Sequence, residues 1–185
     1  MKPVDRSEIL DFVTYSEQRD TLRPQALAAK APRRIQLSGG TFTFLFENRD
    51  TVRYQVQEMM RAERIVKETD IVHELSTYNE LLGGPGELGC TMLIGIDDEA
   101  ERAIKLQEWL ALPQHVYLER ADGSRVRPTF DPRQVGEQRL SSVQYLKFAV
   151  GEAPVAIGID LPQVEVRQEL SADQRSALEA DLAAE

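Results

Sequence analysis

The sequence predicts an α+β fold, a mainly antiparallel sheet of about six to eight strands with helices packed against it. Three observations predict it. Thr41–Phe46 alternates with a strand's period: Phe42, Phe44 and Phe46 point one way and Thr41 and Thr43 the other, with Leu45 the exception. Val52, Val56, Met59, Ala62 or Glu63, and Val66 then recur at helical spacing. Beyond Val116, short alternating runs are separated by glycine, proline and aspartate.

The 185 residues suffice for one domain with a sizeable core, and 42% apolar with 29% charged side chains is ordinary for a globular protein. No linker or repeat divides residues 1–185, so a single domain is expected, with residues 1–32 as a helical arm and 171–185 as a closing helix. A net charge of −9 argues against nucleic-acid binding, because the phosphate backbone repels such a field. No apolar run reaches membrane-span length, and Met1–Asp5 does not resemble a secretory leader. One cysteine, Cys90, cannot form an internal disulfide, which is most simply read as a reducing cytoplasm.

In chain order, Asp5 and Glu8 offer a capping box ahead of Ile9, Leu10 and Val13. A second helix carries Leu22, Ala26 and Leu27, with Pro24 expected in its first turn and Pro32 as its stop. Ile35–Leu37 is a short strand, turned at Gly39-Gly40 into the phenylalanine strand. Asp50 or Thr51 is expected to cap the next helix, whose apolar stripe is expected on the three-phenylalanine face. Asp70–Leu82 is a further helix, stopped by Gly83-Gly84-Pro85-Gly86. Leu88–Ile96, apolar on both faces, reads as a central strand. Asp97-Asp98-Glu99 opens a helix bearing Ile104, Leu106, Trp109 and Leu110, ended by Pro113. Val116–Glu119 and Val126–Phe130 flank an Asp122-Gly123 turn, and Ser142–Val150 is expected to pair with Pro154–Asp160. Ser171 and Gln174 cap the last helix.

The densest run of oriented polar side chains is Phe46-Glu47-Asn48-Arg49-Asp50-Thr51-Val52-Arg53, followed by Gln55, Gln57-Glu58-Met59, Arg61 and Glu63-Arg64-Ile65. There, and at Glu74-Leu75-x-x-Tyr78-Asn79, Thr91–Ile96 and Ala156–Asp160, the chain resembles an uncharacterised bacterial family catalogued as domain of unknown function 3501. The family has no activity to carry over. Its genes often lie beside those of rubrerythrin-like proteins and iron–sulfur oxidoreductases, so the resemblance implies a role in redox or peroxide defence, with such an oxidoreductase as partner.

The residues themselves offer several sites. Arg49, Arg53, Gln57, Arg61 and Arg64 fall about a turn apart, and guanidinium forks suit carboxylates or phosphates of a partner or ligand. The competing reading pairs them with Glu47, Glu58, Glu63 and other acids inside the domain. Glu58, Glu63, His73 and Glu74 form a weaker metal-ligand set, because the Glu-x-x-His repeat of di-iron bundles is absent and no cofactor is expected. Cys90, on an apolar strand face, reads as an inert buried thiol. His115 and Ser141-Ser142 have no triad spacing. Gly83 to Gly89 follows a helix and precedes a strand, the wrong order for a phosphate cradle, and reads as a flexible connection. The leading expectation is therefore a non-enzymatic accessory protein docking a partner through the arginine helix. The alternatives are a small enzyme or carboxylate-metal protein in peroxide or iron handling, and a homodimeric structural module.

Overall fold

The computed structural model describes residues 1–184, and the expected helix end at residue 185 lies outside the described residues. All strand pairings are antiparallel, but the strands are divided between two sheets. The larger runs β1 (Arg34–Leu37), β2 (Phe42–Glu47), β3 (Leu88–Ile94), β7 (Val143–Phe148), β6 (Thr129–Phe130). The smaller runs β5 (Arg125–Val126), β4 (Val116–Glu119), β8 (Ala156–Ile159), β9 (Val166–Glu169). The strand apolar on both faces, β3, is central as expected, with Phe44 opposite Met92 and Phe46 opposite Cys90.

The main core lies between the sheets. Phe42, Phe44, Phe46, Met92 and Phe148 from one sheet join Val116, Leu118, Ile157 and Ile159 from the other. Leu106 of α4 (Glu99–Glu108) and Leu178 of α6 (Ala172–Ala183) complete it, and Phe42 packs against Trp109 in a tilted pair, 5.3 Å between ring centroids.

A separate core holds α2 (Arg49–Glu63) and α3 (Glu68–Asn79). Val52, Val56 and Met60 of α2 meet Ile71 and Leu75 of α3, together with Val4 and Ile9 from the N-terminal segment. This corrects the expectation that α2 lies on the phenylalanine face: that face belongs to the space between the sheets. The buried stripe contains Met60 rather than Met59, and Val66 lies beyond the helix at 66% exposure.

Other corrections have local causes. The Asp5 capping box opens only one turn, Arg6–Glu8, and Asp11 caps a single helix α1 (Phe12–Lys30) with Pro24 in its interior. Asn48, not Asp50 or Thr51, caps α2: its side chain accepts from Thr51 N–H while the Thr51 hydroxyl accepts from Asn48 N–H. Ile104 is exposed, and Pro113 sits in the first turn of a short helix α5 (Leu112–His115) instead of terminating α4. Pro128 divides the expected strand 126–130, sending β5 to one sheet and β6 to the other. Ser142–Val150 does not pair with Pro154–Asp160. Gly151, at φ +71°, donates its N–H to Gly86, and the chain passes from the large sheet to the small one. No described helix is long and apolar enough to cross a membrane.

Candidate functional site

The arginine helix is partly covered by the chain's own N-terminus. Arg49 pairs with Glu8 at 2.5 Å and donates to the Lys2 and Pro3 carbonyls. Arg53 pairs with Asp50 at 2.7 Å and lies 3.9 Å from Glu8. The Asp5 N–H, and then Arg49, hold the Glu8 carboxyl below its usual range against the opposing effect of burial. Gln57 is buried: its amide accepts from Leu10 N–H at 2.8 Å and donates to Leu10 C=O at 3.1 Å, closing the segment onto α2 as a strand partner would. Gln57→Ala leaves both backbone groups of Leu10 without their partner. It is expected to cost about 1–3 kcal/mol in urea-induced unfolding followed by circular dichroism.

The acids divide similarly. Glu58 accepts two bonds from Arg19, both at 2.8 Å, and one from the Tyr15 hydroxyl at 2.6 Å. Arg19 holds the Glu58 carboxyl low, whereas burial and then Glu58 raise the Tyr15 phenol. Glu47 accepts from Thr51 at 2.6 Å and Thr91 at 2.9 Å, tying the α2 cap to β3. Glu63 and His73 are exposed. Among the described residues no three His, Cys, Asp or Glu side chains are grouped to hold a metal ion, so Glu58, Glu63, His73 and Glu74 do not converge. Burial pushes the Cys90 thiol well up, as expected for an apolar strand position.

Arg61 and Arg64 remain outside this network. Both are exposed, and neither makes an ion pair or side-chain hydrogen bond among the described residues. They border a shallow concavity of about 530 Å³ between α1 and the end of α2, which Phe12, Ser16, Arg19 and Asp20 also line. Arg64 caps the helix in the left-handed region, at φ 55° and ψ 42°, donating its N–H to Met60. Glycine is the usual occupant of that position, because a Cβ there crowds the backbone.

The family model described as "Protein of unknown function (DUF3501)" matches residues 3–182. The chain belongs to the DUF3501 family. A crystal structure of a novel protein of unknown function from Burkholderia pseudomallei K96243 is similar, with a TM-score of 0.88 at 25% identity, covering 98% of this chain and 100% of that one. A search of curated proteins gave no match.

Within this DUF3501 member, a second polar cluster escaped sequence reasoning. Asp160, immediately after β8, pairs with Arg125 at 3.1 Å, with Arg127, and with His115 Nδ1 at 3.0 Å. Arg127 leads in drawing the Asp160 carboxyl down to about 2. The Arg125 guanidinium stacks 4.2 Å from the Tyr117 ring centroid. Asp160 ends the Ala156–Asp160 segment of the resemblance, but its partners come from elements far apart in the chain, so spacing did not reveal them.

Proposed function

We propose that this protein is a non-enzymatic accessory protein of the cytoplasm that docks an acidic segment of an oxidoreductase partner at Arg61 and Arg64. The observation that carries this reading is Arg64. It occupies a left-handed cap better suited to glycine, and its charged side chain pairs with no acid among the described residues. Arg19 is neutralised by Glu58 and Asp20 also lines the concavity, so its cationic character rests on Arg61 and Arg64; on a protein of net charge −9 an acidic segment is the complementary partner. Arg49 and Gln57, with Arg53 at 3.9 Å from Glu8, support the surface by fixing α2 against the N-terminal segment. A rubrerythrin-like or iron–sulfur oxidoreductase is the partner class that the family's gene neighbourhood implies.

The test is a titration of the folded chain against a purified rubrerythrin-like protein, and against an acidic peptide from that protein's surface, by fluorescence anisotropy. Arg61→Glu with Arg64→Glu is expected to weaken binding by about tenfold or more. Arg64→Gly is expected to weaken binding while leaving Tm unchanged or higher, because the cap strain is relieved. Unchanged affinity in the folded double variant would refute docking at this surface.

A further inference from the structure

The segment Glu74-Leu75-x-x-Tyr78-Asn79 has roles that the fold only half explains. Leu75 is buried in the helical core, and the Asn79 side chain accepts from Val4 N–H at 2.8 Å and donates to Val4 C=O at 3.0 Å. Glu74 and Tyr78, one turn apart, instead face a cleft of about 570 Å³ between α3 and strands β6 and β7. Phe130, Tyr145 and Lys147 line its other side. Tyr145 is a large aromatic ring left substantially exposed, and burial, opposed by a hydrogen bond from Gln55 and reinforced by Glu74, raises the Tyr78 phenol.

Of the charges that line this cleft, Asp131 and Arg133 pair with each other at 2.7 Å and Glu80 is exposed to solvent, which leaves two half-buried charges of opposite sign, Glu74 and Lys147. Glu74 and Lys147 are both half-buried, and neither makes an ion pair or side-chain hydrogen bond among the described residues. A partly desolvated charge without a partner is unfavourable, and a ligand bearing the opposite charge relieves that. An inorganic anion at Lys147 would leave Glu74 unmatched, and a simple cation at Glu74 would leave Lys147 unmatched. A molecule with both an ammonium and a carboxylate satisfies both, and its apolar body fits against the three aromatic rings. The volume lies within the range of small-molecule sites.

We infer that this cleft binds a small zwitterion of amino-acid to dipeptide size with an aromatic or large aliphatic side chain. Glu74 receives the ammonium, Lys147 donates to the carboxylate, and Tyr78, Phe130 and Tyr145 enclose the side chain. This site is separate from the Arg61–Arg64 concavity, so each stands or falls independently.

The probes are L-phenylalanine and phenylalanyl-leucine, each with its N-acetylated and C-amidated forms, titrated by calorimetry and by amide chemical shifts of the whole chain. At least one unmodified probe is expected to bind, with shifts centred on Glu74, Thr77, Tyr145 and Lys147. Capping either end is expected to weaken binding by about tenfold or more. Glu74→Gln is expected to remove the discrimination against N-acetylation, and Lys147→Met the discrimination against amidation. Both positions are partly exposed, and circular dichroism verifies that each variant is folded. No binding of either unmodified probe at millimolar concentration, equal binding of the capped forms, or shifts confined to another surface would overturn the inference.

Discussion

Asp181→Ala is expected to lower stability by about 3–5 kcal/mol, a large part of the roughly 5–15 kcal/mol that holds a typical domain folded. Asp181 lies in the last turn of α6, where a carboxylate opposes the helix dipole, and it is nonetheless buried. Arg33 accounts for its presence: two guanidinium bonds of 2.7 and 2.8 Å reach the carboxylate across most of the chain's length. Asn48 donates to the same carboxylate at 3.1 Å, which fixes the amide whose oxygen caps α2. Removing Asp181 therefore strands a largely buried guanidinium and loosens the cap of the arginine helix together. A fall in Tm of about 10 °C should accompany the loss. Replacing both charges, Arg33→Met with Asp181→Leu, should recover most of it, since the main penalty is the orphaned charge. A single variant within 1 kcal/mol of the parent in guanidinium-induced unfolding would show that the buried Arg33–Asp181 pair does not hold α6 in place in solution.

What the sequence made legible was local, and what it hid was partnership. The alternation of Phe42, Phe44 and Phe46 correctly marked one buried face, because side-chain direction in a strand follows from the backbone alone. Thr43 is buried too, on the opposite face, which alternation could not foretell. The periodicity of α2 likewise identified Val52 and Val56, but not what covers them, since α3 and the N-terminal segment offer an apolar surface as readily as the sheet does. Charges are harder still. Glu8 reaches Arg49, and Arg19 reaches Glu58, across tens of residues, and helical spacing shows only which arginines share a side. So the arginine face divided in a way that no local pattern records: Arg49 and Arg53 are tied to acids of the chain, while Arg61 and Arg64 make no ion pair among the described residues. The pairing expected between Ser142–Val150 and Pro154–Asp160 failed for a related reason. Nearness in sequence favours a hairpin, but the chain there crosses between two sheets.

Gly89→Ala should be among the most damaging single substitutions in the protein, although it adds one methyl group to a strand whose backbone suits any residue. Read as sequence, Gly83 to Gly89 looked like a flexible connection; in the structure it is a site of close approach. A Cβ on Gly89 would lie 1.8 Å from the Leu81 carbonyl oxygen and 3.0 Å from Gly83 N. One on Gly83 would lie 2.2 Å from the Glu87 carbonyl oxygen. The obstacles are backbone atoms, so no rotamer change relieves them. The chain leaving α3 must move away from β3, and with it Leu82, which packs in the helical core. Overpacking of this kind costs about 1–3 kcal/mol where neighbours yield, and more where they do not, so a loss above about 3 kcal/mol is expected. Gly123→Ala is the contrasting control, since a Cβ there meets nothing within 4 Å and the cost is confined to its positive φ of 82°. Because the strained connection links α3 to β3, Gly89→Ala should also speed hydrogen exchange at the amides of Cys90 and Met92 before global unfolding. If Gly89→Ala unfolds at the same denaturant concentration as the parent, the close contact between the connection and the strand is not present in solution.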